Sequence, residues 1–201
     1  MIIQMIITFI FEVFYAYILA DLLVGVFHWF KDTYGTPFTP IIGRKIIWSS
    51  RLHHIRPRYV LEFSDWELFK TSSIWTLIWM GPVFYYIDIS VFTITLFLVI
   101  GLNDVVHKYA HMSDIERPIF MSVLQKLKIC QTHNEHHIHH TEPYIKNYCP
   151  ITPFTNGILE KIDFWRRLEK IIEDSFGIKP RDVPDTYVED PTYPAGIRFI
   201  R

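Results

Sequence analysis

The chain has 201 residues; 50% are apolar, 16% aromatic and only 20% charged, with a formal net charge of −1. That composition excludes a disordered or fibrous protein and suits a soluble globule poorly. The absence of a basic surplus argues against nucleic-acid binding, and 2 cysteines cannot staple a small secreted fold.

All 20 Lys and Arg residues lie outside two windows, 1–30 and 71–107. The first window is long enough for a spanning helix at about 1.5 Å rise per residue. It lacks the basic start and small-residue cleavage site of a signal peptide. Glu12 and Asp21 interrupt it, so one face is expected to look at protein. The second window is too long for one span and reads as a hairpin of 72–86 and 91–107, turning near Tyr86–Asp88–Ser90. The expected fold is an all-α integral membrane protein of three to four membrane helices, the fourth shallow or re-entrant. Basic residues fill the loop from Arg44 to Lys70 and the region from Lys108 onward, which predicts that both are cytoplasmic. Cys130 and Cys149 then lie in a reducing compartment and are expected to be free thiols.

Two later segments read as interfacial amphipathic helices. Segment 118–130 spaces Phe120, Val123, Leu124 and Leu127 along one face. Segment 158–172 does so with Ile158, Ile162, Trp165 and Ile172, against Lys161, Arg166, Arg167 and Lys170. Packing on the rest of the protein is the alternative for both. The membrane domain is expected to cover 1–184, with 185–201 a cytoplasmic tail.

The 10 histidines carry the chemical signal. His28 ends the first span, and His53 and His54 lie in the basic loop. His107 and His111 share one helix face at the end of the last span. His133, His136, His137, His139 and His140 follow the first amphipathic segment. On the expected topology all lie at one membrane face. Neutral imidazole ligates iron, copper, zinc and nickel, with the other ring nitrogen held by an acceptor. Asp32, Asn103, Asp104, Glu135 and Glu142 sit at offsets suited to that task. Taken singly, His28 also fits a hydrogen-bonded structural role, the His107/His111 pair a solvated face, and the last cluster an exposed weak metal tract. The number and grouping exceed the needs of one tetrahedral zinc and suggest two metals.

These residues also form a familiar set. The run from Asp21 to Gly35, containing Gly25, His28, Trp29 and Asp32, resembles the opening motif of the Kua, or lipid desaturase, family, which includes plasmanylethanolamine desaturases, CarF-like bacterial proteins and a plant plastid desaturase. His53-His54 with Pro57, then Asn103, Asp104, His107 and His111, then His136 to Pro143, Asn147-Tyr148-Cys149 and Asn156 match in order. The resemblance implies a metal set of His28, His53, His54, His107, His111, His136, His139 and His140. It also makes Asp32 the essential aspartate, acting with His28, His107 and His111 in catalysis. His133 and His137 fall outside it. Leu52, Arg56 and Pro153-Phe154 depart from the family pattern and bear on the lipid substrate.

By the same resemblance the chain is a non-haem di-iron desaturase using O2 and electrons from cytochrome b5 and its NAD(P)H-linked reductase, in an endoplasmic reticulum-type membrane with the metal site cytoplasmic. Its substrate is expected to be a membrane phospholipid, a 1-O-alkyl chain becoming the 1-O-alkenyl plasmalogen. Arg51, Arg56 and Arg58 are candidates for holding the phosphate, or else only enforce topology. Desaturation of an ester-linked acyl chain is a second reading, and a non-catalytic membrane metal binder a third.

Overall fold

The computed structural model describes residues 1–181 and is built from α-helices joined by short π and 3₁₀ turns, with no strand among the described residues. The expected tail, 185–201, and the domain end at 184 lie outside the described residues. Helix α1 spans Ile2–Thr33. A π-turn, Gly43–Ile47, runs into α2, Trp48–Ile55, and a 3₁₀ turn, Pro57–Glu62, leads to α3, Asp65–Tyr86. Helix α4 is Val91–Ala110. Shorter helices follow: α5 (Ile119–Lys126), α6 (His133–His137), α7 (Pro153–Lys161) and α8 (Phe164–Phe176).

Two of these, α1 and α4, are long and apolar enough to cross a membrane. Helix α3 has the length but is too rich in polar and interfacial side chains to pass the same measure. It nevertheless forms the expected hairpin with α4, turning between Tyr86 and Val91. Local chemistry sets the starts of both arms. Ser64 and Glu67 form a capping box for α3, and Ser90 and Thr93 one for α4, each occupying amides that the first turn leaves without partners. Across the hairpin Ser72 donates to Asp104, and Lys108 Nζ reaches Asp65 Oδ1 at 2.8 Å.

Helix α1 packs on α4, with Ala16 and Ala20 against Met80, Leu96 and Ile100. The small side chains let the helices approach closely. The His28 and His107 rings are 6.2 Å apart, so the C-terminal ends of α1 and α4 meet and the two helices run in the same direction. The opposite half of α1, from Ile2 to Tyr15, exposes Ile3, Ile6, Phe9, Ile10 and Phe14. None of the described residues covers that surface, and it is suited to hydrocarbon.

The single amphipathic helix expected over 158–172 is two helices. Asp163 takes a left-handed conformation (φ 52°) between α7 and α8, and this turns the chain. The kink allows Trp165 to stack on Trp29, ring centroids 5.9 Å apart, while Glu169 accepts from the Trp29 indole at 3.0 Å. Helix α5 is shorter than the 118–130 expected, and Phe120, Val123 and Leu127 are exposed along it.

Buried Asp21 ties α1 to the loop before α7. Its carboxylate accepts the Ile151 amide at 2.8 Å and the Thr152 amide at 3.3 Å. Cys149 in the same loop lies against Gly25, where an added Cβ would sit 2.4 Å from the cysteine Sγ. Cys130 and Cys149 are both buried and free, as expected. Replacing Asp21 with Ala orphans two buried amides and should cost about 3 kcal/mol, read as a lower thermal midpoint of the purified protein in detergent.

Candidate metal centre

The four stretches of histidine converge where the C-terminal ends of α1 and α4 meet α2 and the segment from α6 onward. They form two adjoining groups. One holds His28, Asp32, His54 and His139, all buried; the other holds His53, His107, His111, His136 and His140. Within each group the donor atoms all lie within 4.8 Å of one another, the spacing that lets them face one ion. All eight histidines expected as a set, with Asp32, are therefore brought together. His133 and His137 stand outside both groups.

Each side chain is delivered by a distinct local device. One helical turn separates His28 from Asp32, so both point from the same face of α1, and one turn separates His107 from His111. His53 and His54 lie next to each other on α2 and split between the two groups. Helix α6 begins at a Thr132–Glu135 capping box, which sets the direction of His136.

The groups differ chemically. In the four-residue group, His28 Nδ1 donates to the Tyr148 carbonyl at 3.0 Å, and His139 Nδ1 donates to the Lys146 carbonyl at 2.9 Å. A carbonyl can only accept, so each neutral ring carries its proton on Nδ1 and turns a bare Nε2 inward. Those nitrogens face Asp32 Oδ2 at 3.2 and 3.4 Å, with His54 Nε2 at 3.6 Å. Asp32 Oδ1 accepts from Ser50, but buried Oδ2 has no hydrogen-bond donor among the described residues. Bare lone pairs and a carboxylate oxygen pointing at one another call for a cation, and they fit a divalent metal.

The five-residue group has no carboxylate. Its Nε2 atoms converge directly: His53 and His107 at 3.0 Å, His107 and His136 at 2.8 Å, and His136 and His140 at 3.0 Å. Burial holds His53, His136 and His140 far below the usual imidazole range, and His111 down at about 3, with the neighbouring rings adding to the effect. Neutral rings are the form that ligates metal.

Sequence offsets suggested several acidic and amide partners for the rings, and the structure assigns different ones. Asp104 accepts from Ser72 and Asn103, and Glu135 caps α6 and pairs with Lys128 at 2.6 Å. The acceptors for His28 and His139 are backbone carbonyls of residues 148 and 146. No side-chain pattern marks a carbonyl, so sequence reading had no signal for them. Asp32, one turn beyond His28, turns an oxygen into the cluster itself.

The three candidate phosphate-holding arginines separate. Arg51 donates to the Gly35 carbonyl at 2.6 Å. Arg56 is exposed, near Glu62 and above the Tyr59 ring. Arg58 lines a cavity of about 280 Å³ together with Pro57, Ser113, His111, His136 and His140.

The metal-free protein should lose stability as pH falls. His111 protonates near 6.5 when unfolded but only near 3 when folded, so the unfolded chain binds the extra proton first. His53 and His136 shift in the same direction. The contribution is full above pH 6.5 and is lost progressively towards pH 3. Thermal midpoints measured across that window after exhaustive chelation check this, and an added divalent metal should raise the midpoint at pH 7.

The family profile described as lipid desaturase domain matches residues 17–183. The chain is 53% identical over 184 residues to a probable fatty acid desaturase of Acanthamoeba polyphaga mimivirus, covering 92% of each. It is 32% identical over 182 residues to plasmanylethanolamine desaturase 1 of Mus musculus, covering 82% of this chain and 65% of that protein. It is 29% identical over 174 residues to the chloroplastic fatty acid desaturase 4 of Arabidopsis thaliana, covering 52% of that protein. The chain thus spans most of the viral relative but only about half to two thirds of the mouse and plant proteins. No solved structure matches. The chain belongs to the lipid desaturase family and is an oxidoreductase.

Proposed function

We propose that this lipid desaturase converts a 1-O-alkyl glycerophospholipid, plasmanylethanolamine, to the 1-O-alkenyl plasmalogen with two iron ions and O2. The observation that supports it most is the pairing of a four-residue group containing Asp32 with a five-histidine group beside the ends of two apolar helices. Relatives of this chain include the plasmanylethanolamine desaturase of mouse.

In this reading His28, His54, His139 and Asp32 hold one iron, and His53, His107, His111, His136 and His140 hold the other. When bound, the metal pair supplies with O2 an oxidant strong enough for an unactivated C–H bond, which acid–base chemistry cannot break. Overall the lipid loses two hydrogens while O2, two electrons and two protons from a donor complete two waters. Cytochrome b5 and its NAD(P)H-linked reductase are the proposed donor. The protein's part is positional. The carbonyls of residues 146 and 148 fix the ring tautomers of His139 and His28, and Asp32 offsets part of the metal charge. Burial of the four-residue group excludes water from that side of the centre.

Helix α3 is the proposed third span, with Ile74, Leu77, Ile78 and Trp79 exposed along it. In the same reading the histidine end of the bundle faces the cytoplasm, which the basic loops support, and the membrane is of the endoplasmic reticulum type. Desaturation of an ester-linked acyl chain is the second reading, favoured by the viral relative named a probable fatty acid desaturase.

Expression in plasmalogen-deficient cells tests the proposal. Acid-labile vinyl-ether lipid should appear with the wild-type chain and fall at least about a hundredfold with His107→Ala or Asp32→Ala, each removing a donor to the metal. Absence of vinyl ether from stably expressed, iron-loaded protein, with new acyl alkenes in its place, would favour the second reading.

A further inference from the structure

We propose that the cavity beside the five-histidine group is the phosphate subsite for the lipid, with Arg58 and His137 as its donors. The inference rests on the lipid-oxidising reading above and adds where the headgroup sits. The cavity has about 280 Å³ and is lined by Pro57, Arg58, Ser113, His133 and His137 on one side, and by His111, His136 and His140 on the other. One wall therefore belongs to the candidate metal centre and the other to residues outside both metal groups.

The second wall is equipped for an anion. Glu116 holds the Arg58 guanidinium through Nη1 at 3.2 Å and through Nη2 at 2.6 Å. Those two bonds use two of five N–H groups and fix the fork at the cavity rim, with the remaining donors available for phosphate. Ser113 joins the same knot, its hydroxyl donating to Glu116 at 2.7 Å. His133 is anchored by donating Nδ1 to the Ala110 carbonyl at 2.9 Å. His137 stacks on it with ring centroids 6.0 Å apart, and a neutral imidazole supplies an N–H in either tautomer. Electrostatics acts in the same direction: two bound divalent ions against the one carboxylate of the two groups would leave the centre positive.

A phosphate held there lies next to His111, His136 and His140, the metal-facing residues that form the cavity's other wall.

The test uses full-length, metal-loaded protein in detergent, with Arg58→Gln, Arg58→Lys and His137→Gln. Binding of dihexanoylphosphatidylethanolamine is titrated beside a phosphate-free 1-O-alkylglycerol, and metal per chain is measured for every variant. Arg58→Gln should weaken phospholipid binding about tenfold, the loss expected for one charge-assisted hydrogen bond, while leaving the phosphate-free ether and the metal content unchanged. His137→Gln should show a smaller loss of the same kind. In turnover the effect should fall on KM more than on kcat. If Arg58→Gln fails to hold metal, Arg58→Lys keeps the charge without the fork and should still lose part of the preference for the phosphate-bearing lipid. Unchanged phospholipid binding in the metal-loaded variants, or an equal loss for the phosphate-free ether, overturns the subsite. If the wild-type protein oxidises no lipid, the function proposed above fails, and the binding comparison still decides the cavity.

Discussion

Asp32 Oδ2 faces the Nε2 atoms of His28, His139 and His54 at 3.2, 3.4 and 3.6 Å, with no proton donor among the oxygen's contacts. Beside it, five more imidazoles bring their nitrogens to within 4.8 Å of one another. Gathering so many unprotonated donors in a buried place is unfavourable for an empty protein, because each loses its water and gains only the repulsion of its neighbours. The rest of the fold supplies what holds them there. Packing of α1 on α4 brings two helix ends together, and the Tyr148 and Lys146 carbonyls fix two ring tautomers. A bound cation would turn the same geometry from a cost into a gain, which links metal loading to stability.

That constraint explains why the loop before α7 is pinned so heavily. Its residues 148–152 supply the carbonyl for His28, and the segment is held from three directions. Asp21 takes the amides of Ile151 and Thr152. Asn156 accepts the Cys149 amide at 3.0 Å and donates to its carbonyl at 2.7 Å, and Gln131 donates to the same carbonyl. A polar network buried this deeply must be nearly complete to be stable. Where it is complete it leaves the loop little freedom, so a metal-facing imidazole rests on a carboxylate two helical turns earlier in α1.

The two metal groups are unequal in a way that bears on how the centre meets its substrates. The group with Asp32 is wholly buried and carries the one acidic side chain. The five-histidine group is partly exposed, has no acid and forms a wall of the cavity that Arg58 also lines. Access therefore lies on the five-histidine side of the centre, while Tyr148, clustered with Trp29 and Trp165, packs against His28 and His139 of the buried group.

Much of this was legible in the amino-acid order. Long stretches free of Lys and Arg marked α1 and the α3–α4 hairpin, because lipid excludes charge. The spacing of His28 from Asp32 and of His107 from His111 placed each pair on one helix face, because a helix repeats every 3.6 residues. What the sequence left open was everything that depends on distant segments meeting. The partition of adjacent His53 and His54 between two groups, the carbonyl acceptors, the break of the last amphipathic stretch at Asp163, and the choice of Arg58 over Arg51 and Arg56 at the cavity were decided only by tertiary structure. The reason is physical: periodicity reports which way a side chain leaves its own helix, whereas a binding site is defined by what it meets after the chain has folded, and backbone groups that close it are the same in every residue.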